Sequence, residues 1–226
     1  MIDTKFNFYY DSNGKDPDGH SRKLQEYHKI LWSKPLPNGK VWELKSSEDS
    51  NGYFFESEFG EFSSDAITHS YKGWIRYSTI TNIIPNEVNE LFDAGSTIGA
   101  YLIFPRNNSI NKARGCLLND RFDMTLECIR LFYLNKKSVL FDILLQNKNF
   151  FELFVRFENY VDFFLLQDLV DDKRNIKSWI EFDNVKKSPE FVEIKDKESY
   201  LAYKEKVMSF INQRNKRITE YAQLNF

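Results

Sequence analysis

Between positions 150 and 170 the chain reads FFELFVRFENYVDFFLLQDLV. So much Phe and Leu has to leave water, and its placement limits what the rest of the chain can fold into. The apolar pieces, such as Phe163-Phe164-Leu165-Leu166, are broken by Asp162, Gln167 and Asp168. None approaches the roughly 20 residues that span a bilayer, so no membrane partner is expected. The stretch reads as core, built from two or three short helices over 138–170. Any part of it left on the surface would be a partner or homodimer interface. Composition agrees: 16% of the residues are aromatic, with 21 Phe and 12 Tyr but only 9 Gly, which suits a rigid, aromatic-packed interior.

At 226 residues the chain is long enough for one domain with a substantial core. The 31 Lys and Arg against 33 Asp and Glu leave a net charge of -2, which argues against nucleic acid as a partner, because non-specific polyanion binders carry a large cationic excess. Cys116 and Cys128 are too few for a disulfide framework or a four-ligand zinc site, and both read as buried free thiols. The start, MIDTKFNFYY, has no basic segment followed by an apolar one, so a cytoplasmic protein is expected. Asn, Lys, Ile and Phe in excess over Gly, Ala and Arg suggest an AT-rich bacterial or phage genome.

Residues 4–10 read as a short strand, and DSNGKDPDG (11–19) is dense turn chemistry. A helix capped by Ser21 follows through RKLQEYHKILW, with Leu24, Tyr27, His28 and Leu31 on one face and a stop before Pro35. VWELK (41–45) alternates as a strand, and 52–62 reads as strand and turn. A helix is predicted from Ser64-Asp65 through ITHSYKGWIRYSTITNII, then a short one over 87–92 closed by Gly95. TIGAYLIFP (97–105), apolar on both faces and containing Gly99, is the expected central strand. RNNSINKARG reads as a polar connector, 120–134 as a helix, 178–182 as a short strand and 198–223 as a charged amphipathic helix with a solvated face. The fold class is α+β: a small, mostly antiparallel sheet within about 1–118, packed against a Phe/Leu-rich helical part over about 119–226, in a single domain.

The helix at 120–134 carries the sharpest chemical signal. At 100° per residue, Asp120, Asp123, Glu127 and Arg130 fall within an arc of roughly 80°. Phe122, Leu126, Ile129 and Tyr133 flank that arc on one side, and Met124, Cys128, Leu131 and Phe132 on the other. Carboxylates in such a setting need partners, and Arg114, Arg121 and Arg130 are the available cations. Two readings follow: a cleft where Asp123 or Glu127 works as acid or base while the arginines hold an anion, or a structural ion-pair network. Upstream, Arg106, Asn107, Asn108, Asn111, Lys112 and Arg114 follow the expected central strand, a common ligand position. His28 and Trp32 are neighbours one helical turn apart, either a stacking platform with a proton-transfer imidazole, beside Lys34, or ordinary core. Asp65 lies four residues before His69 and is read as a helix cap rather than a metal ligand. No metal motif, calcium loop, GxSxG, Walker A or GxGxxG is present, and no cofactor is expected.

Five blocks, YHKILWSKPLPNGKVWEL (27–44), STIGAYLIFP (96–105), INKARG (110–115), DRFDMTLECIRLFY (120–133) and NYVDFFLLQDLV (159–170), together resemble an uncharacterised bacterial family known only as a domain of unknown function. The resemblance implies a single-domain cytosolic protein with no assigned activity, and it supplies no catalytic residues.

These readings lead to one expectation and one rival. The expectation is an intracellular enzyme acting on a nucleotide or other phosphate-containing small molecule, in a bacterial conflict or stress system. Its catalytic candidates are Asp123, Glu127 and His28, and its binding candidates are Arg114, Arg121, Arg130, Trp32 and Lys34. The rival is a non-catalytic protein that binds a protein partner, or itself, through an aromatic surface.

Overall fold

In the computed structural model, which describes residues 2–67, 78–106, 109–181, 185, 194 and 196–225, the chain opens with helix where a strand was expected. Asn7 caps α1 (Phe8–Asp11) by accepting from Tyr9 N, and Phe8 N donates to Ser96 O at 2.9 Å. The Asn cap and that distant carbonyl occupy the donors a strand would use. The Asp-Pro-Asp-Gly turn then becomes α2 (Pro17–His20), with Asp16 as cap and Pro17 in the first position, where its missing N–H costs nothing. α3 (Arg22–Trp32) matches expectation: Ser21 Oγ accepts from Leu24 N at 3.1 Å, and the face of Leu24, Tyr27, His28 and Leu31 is buried.

The sheet is a four-stranded antiparallel meander in the order β1 (Lys45–Asp49), β2 (Gly52–Ser57), β3 (Gly60–Ala66) and β4 (Tyr101–Pro105). Phe55 lies opposite Phe62, Ser64 opposite Ile103 and Ala66 opposite Tyr101, so Phe55, Phe62, Ser64 and Ile103 share one face. α3 packs on that face, with His28 edge-on to Phe55. Asp65 and Phe104 point the other way, towards Arg114.

Several expectations are corrected here. Residues 41–44 form no strand beyond a single Pro35–Val41 bridge; their alternation serves to bury Trp42 and Leu44 before β1 begins. Ser64 and Asp65 lie in β3, not at a helix start, because the register with β4 claims them. Of the helix predicted there, only α4 (Ser78–Ile83) is among the described residues, and His69 lies outside them. β4 is buried on both faces as expected, but it is an edge strand. Gly99 belongs to the turn Ile98–Ala100 before β4. A Cβ there would lie 2.6 Å from Ile211 O, so only glycine lets the C-terminal helix approach.

α5 (Pro85–Gly95) is longer than expected. The connector after β4 holds α6 (Ser109–Leu118), whose buried face is Ile110, Ala113, Arg114 and Leu118. Cys116 is exposed on its other side, whereas Cys128 is buried as expected. α7 (Phe122–Tyr133) begins after Asp120, which sits at φ +52° and so leaves the charged stripe. α8 (Phe141–Gln146), α9 (Lys148–Glu152) and α10 (Phe157–Phe163) supply the three short helices of the Phe-rich run. Instead of a strand at 178–182, the described part holds a buried Trp179, with Phe182 outside the described residues. α11 (Lys197–Asn225) closes the fold.

Trp42 ties the sheet to the Phe-rich run. Its fully buried ring has Phe62, Phe150, Phe154, Phe163 and Phe164 within 6.3 Å, mostly edge-to-face. The core is continuous across both halves of the chain. All the Phe side chains of 150–170 are buried, so the aromatic surface required by the rival reading does not form there. Among the described residues, no helix is long and apolar enough to cross a membrane.

Candidate functional site: a buried relay and a carboxyl pair

The hydrogen-bond chain that starts at Trp32 has its direction fixed by chemistry. An indole N–H can only donate, so Trp32 Nε1, 2.9 Å from His28 Nδ1, makes that nitrogen the acceptor. His28 is therefore neutral, with its hydrogen on Nε2, which donates to Ser64 Oγ at 3.0 Å. Burial, and then the charge of Arg214, push the imidazole down to about 3, in keeping with that state. Ser64 in turn donates to the carboxyl of Asp18. His28 thus has no free lone pair with which to act as a base, and Trp32, fully buried against Phe163 and Phe164, offers no open face for stacking.

Asp18 is carried by α2, which is held against β2 where Gly52 meets the carbonyl of Gly19. A Cβ on Gly52 would lie 2.3 Å from that oxygen, and its φ of +115° suits only glycine. The Asp18 carboxyl accepts from Ser64 and from Ala66 N–H, yet its Oδ1 is buried with no partner. Burial, followed by the charges of Asp16 and Asp65, raises it well above the usual carboxylate range. Asp65, on the other side of the end of β3, is pushed up to about 6 by burial, with Arg114 pulling it down and Asp120 and Asp16 pushing it up. Tyr101 is raised by burial and by the same three aspartates, Asp18, Asp16 and Asp65. Gln25 Nε2 donates to Asp18 O at 3.3 Å, and Gln25 Oε1 is a second buried acceptor without a partner. Gln25 also lines a groove of 620 Å³ between α3 and β1–β2, together with Arg22, Lys29, Glu48 and Tyr53.

The residues expected to form one cleft are divided among separate partners. Arg114 is fully buried and donates to Asp65, to Thr125 Oγ1 at 3.2 Å and to Ala66 O at 3.1 Å. Asp123, fully buried at the start of α7, accepts from Arg121 Nε at 3.1 Å and from Trp179 N at 2.8 Å. Arg121 also donates to Ile180 O at 2.6 Å, so this pair pins the 179–180 segment onto α7. Glu127 and Arg130 form a bidentate pair at 2.7 and 2.8 Å, half-buried at the surface. None of Arg114, Asp123, Glu127 and Arg130 lines a described groove. Among the described residues, no group of three or more His, Cys, Asp or Glu is arranged to hold a metal ion.

Lys34 does join His28 and Trp32: its Nζ lies 4.9 Å from the Trp32 ring centroid. Arg214 is the residue that sequence reasoning placed wrongly, on a solvated face. It is fully buried, and the signal was present, since Tyr200, Tyr203, Val207, Phe210, Ile211, Arg214 and Ile218 recur at helical spacing. Asp18 and Ser64 had no comparable signal, because only the sheet register brings α2 to the end of β3.

Comparison with known proteins gives one match. A family of unknown function (DUF6994) matches residues 2–218. The chain belongs to that family. Neither curated proteins nor solved structures give a match.

Proposed function

We propose that this protein is an enzyme that performs general acid–base catalysis with Asp18 and Asp65 on a small polar molecule, uncharged or cationic, of the sugar or nucleoside class. One feature carries the reading: two neighbouring carboxyls at the end of β3 have unlike partners. Asp65 is paired with Arg114, which suits a base, whereas Asp18 has no cation among its described partners and burial raises it well above the usual carboxylate range, which suits an acid. Trp32, His28 and Ser64 are positioning residues that orient Asp18 through the directed chain. A phosphate-bearing substrate suits this site less well. Asp16 and Asp65 place negative charge there, and Arg114, Arg121 and Arg130 are each already bound to a carboxylate.

The test has a spectroscopic arm and a kinetic arm. Infrared difference spectra are expected to show a carboxylic-acid carbonyl band persisting at pH 7 and absent in Asp18→Asn. Turnover across a panel of chromogenic glycosides and nucleosides is expected to follow a bell-shaped pH profile and to fall at least about 100-fold in Asp65→Asn and in Asp18→Asn. An ionised Asp18 at pH 7, or variants that turn over like the parent, would overturn the reading.

A further inference from the structure

Lys34 sits one residue before a proline, and the chain leaves α3 there with its side chain folded back among rings. Its Nζ lies 4.9 Å from the centroid of Trp32, 4.4 Å from that of Phe163 and 4.4 Å from that of Tyr221. Among the described residues it has one hydrogen-bond acceptor, Phe163 O at 2.8 Å, and no carboxylate. The neighbouring carbonyl, Phe164 O, accepts from Arg214 Nε at 3.1 Å, so two cations meet at the C-terminal end of α10. Arg214 also lacks a carboxylate: Nη1 donates to Gly99 O and Tyr101 O at 2.9 and 2.8 Å, and Nη2 is buried with no partner. Trp32 is flanked by both, with Arg214 Cζ 5.9 Å from its centroid. Among the described residues, the place therefore holds two like charges, three rings and no counter-charge. Arg214 is sealed inside, while Lys34 and Tyr221 are half-buried.

A structural lysine pairs with a carboxylate or keeps its ammonium in water. Lys34 does neither. A desolvated lysine beside a second cation is the setting in which an amine becomes a nucleophile. Burial, and then the charge of Arg214, bring it down to about 7. The rings pull the other way, since their faces attract an ammonium. The remaining titratable groups facing this amine are Tyr221 on α11, which burial keeps protonated to higher pH, and His28 behind Trp32, which is neutral.

We propose that Lys34 is a reactive amine that condenses with a small anionic carbonyl compound, a role independent of the Asp18–Asp65 site. The Nζ lone pair attacks the carbonyl carbon and forms a C–N bond. The C–O bond then breaks, and the oxygen leaves as water with the two amine hydrogens, giving an imine without oxidation or reduction. The uncompensated charge of Arg214 favours a carbonyl compound that carries a carboxylate.

The experiment uses glyoxylate as probe, with cyanoborohydride to trap the imine as a secondary amine, and peptide mass spectrometry to read each lysine of the full chain. Lys216, with a side chain 79% exposed, serves as an internal control. At pH 7, labelling of Lys34 is expected to be at least about tenfold faster than that of Lys216, because a normal lysine is almost entirely protonated there. Its rate should level off just above pH 7 while that of Lys216 keeps climbing. Arg214→Met should slow Lys34 towards the control. Equal labelling of the two lysines at pH 7, or parallel pH profiles, would overturn the proposal. That profile is measured on the parent chain, so it stands even if the variant does not fold.

Discussion

Asp123 and Glu127 are one helical turn apart, yet their carboxylates experience different surroundings. Asp123 is fully buried and accepts from Arg121 and Trp179 N, whereas the Glu127 side chain is 16% exposed and holds a surface arginine. Removing the buried partner leaves Arg121 uncompensated and frees the 179–180 segment, so Asp123→Ala is expected to cost about 3–5 kcal/mol. Glu127→Ala breaks a pair that water can replace and should cost less than about 1 kcal/mol. Urea unfolding of both variants checks the contrast, and equal losses would show that the two pairs do not differ as their burial implies. Gly52 makes a second residue-scale case. Alanine there has to accept φ +115° and a Cβ against Gly19 O, so Gly52→Ala should lose about 1–3 kcal/mol and displace α2, and Asp18 with it. The variant should therefore lose the infrared signature of a protonated Asp18 even under conditions where it stays folded.

At the scale of elements, α3 was legible because three independent signals agree. Ser21 caps it, its apolar face repeats at helical spacing, and Pro35 limits it. Ser21 Oγ also donates to Asp11 Oδ2 at 2.7 Å, which ties α1 to the cap. Ser21→Ala removes both bonds and is expected to cost about 1–2 kcal/mol in thermal or urea unfolding. β3 was not legible, because Ser64-Asp65 has the local chemistry of a helix start. Its strand state comes from pairing with β4, which lies beyond a long helical excursion through α4 and α5. α6 was hidden for a different reason: its inner face includes Arg114, a charge that pattern reading assigns to solvent and the fold pairs with Asp65. The same blind spot misplaced Arg214. Of the candidate site, the sequence exposed His28, Trp32 and Lys34, which sit on one helix and its exit. It could not expose Asp18 and Asp65, which meet only through the packing of α2 on the sheet.

Across the whole molecule, the buried titratable groups set opposing pH dependences. Asp18 and Asp65 are raised, so between about pH 4 and 6 the folded chain holds protons that the unfolded chain has released. The Asp65 contribution is complete below about pH 4 and is lost as pH rises through about 6, and that of Asp18, raised well above the usual range, is lost in the same direction at higher pH. His28 runs the other way. Its folded value of about 3 lies below the unfolded value near 6.5, so its contribution is lost as pH falls across that window. Two carboxyls outweigh one imidazole, and stability is expected to decline from pH 4 to 6. Above neutrality Lys34 acts in the opposite sense to Asp18. The unfolded lysine keeps its proton to about pH 10 and the folded one releases it from about 7, so its contribution to stability rises with pH, by at most about 1.4 kcal/mol per unit. Cys128, raised by burial to about 12, offsets the Lys34 contribution above about pH 8.5, where the unfolded thiol ionises and the folded one does not. Urea midpoints should therefore fall from pH 4 to 6. Between pH 7 and 8.5 the midpoint of Lys34→Met should run more steeply downward than that of the parent, by the Lys34 contribution, with the acid limb intact. In the Asp18→Asn, Asp65→Asn double variant, the acid limb should turn into the upward slope of His28. Parent and Lys34→Met midpoints that run parallel between pH 7 and 8.5 would place the Lys34 proton under the control of the aromatic rings instead of Arg214.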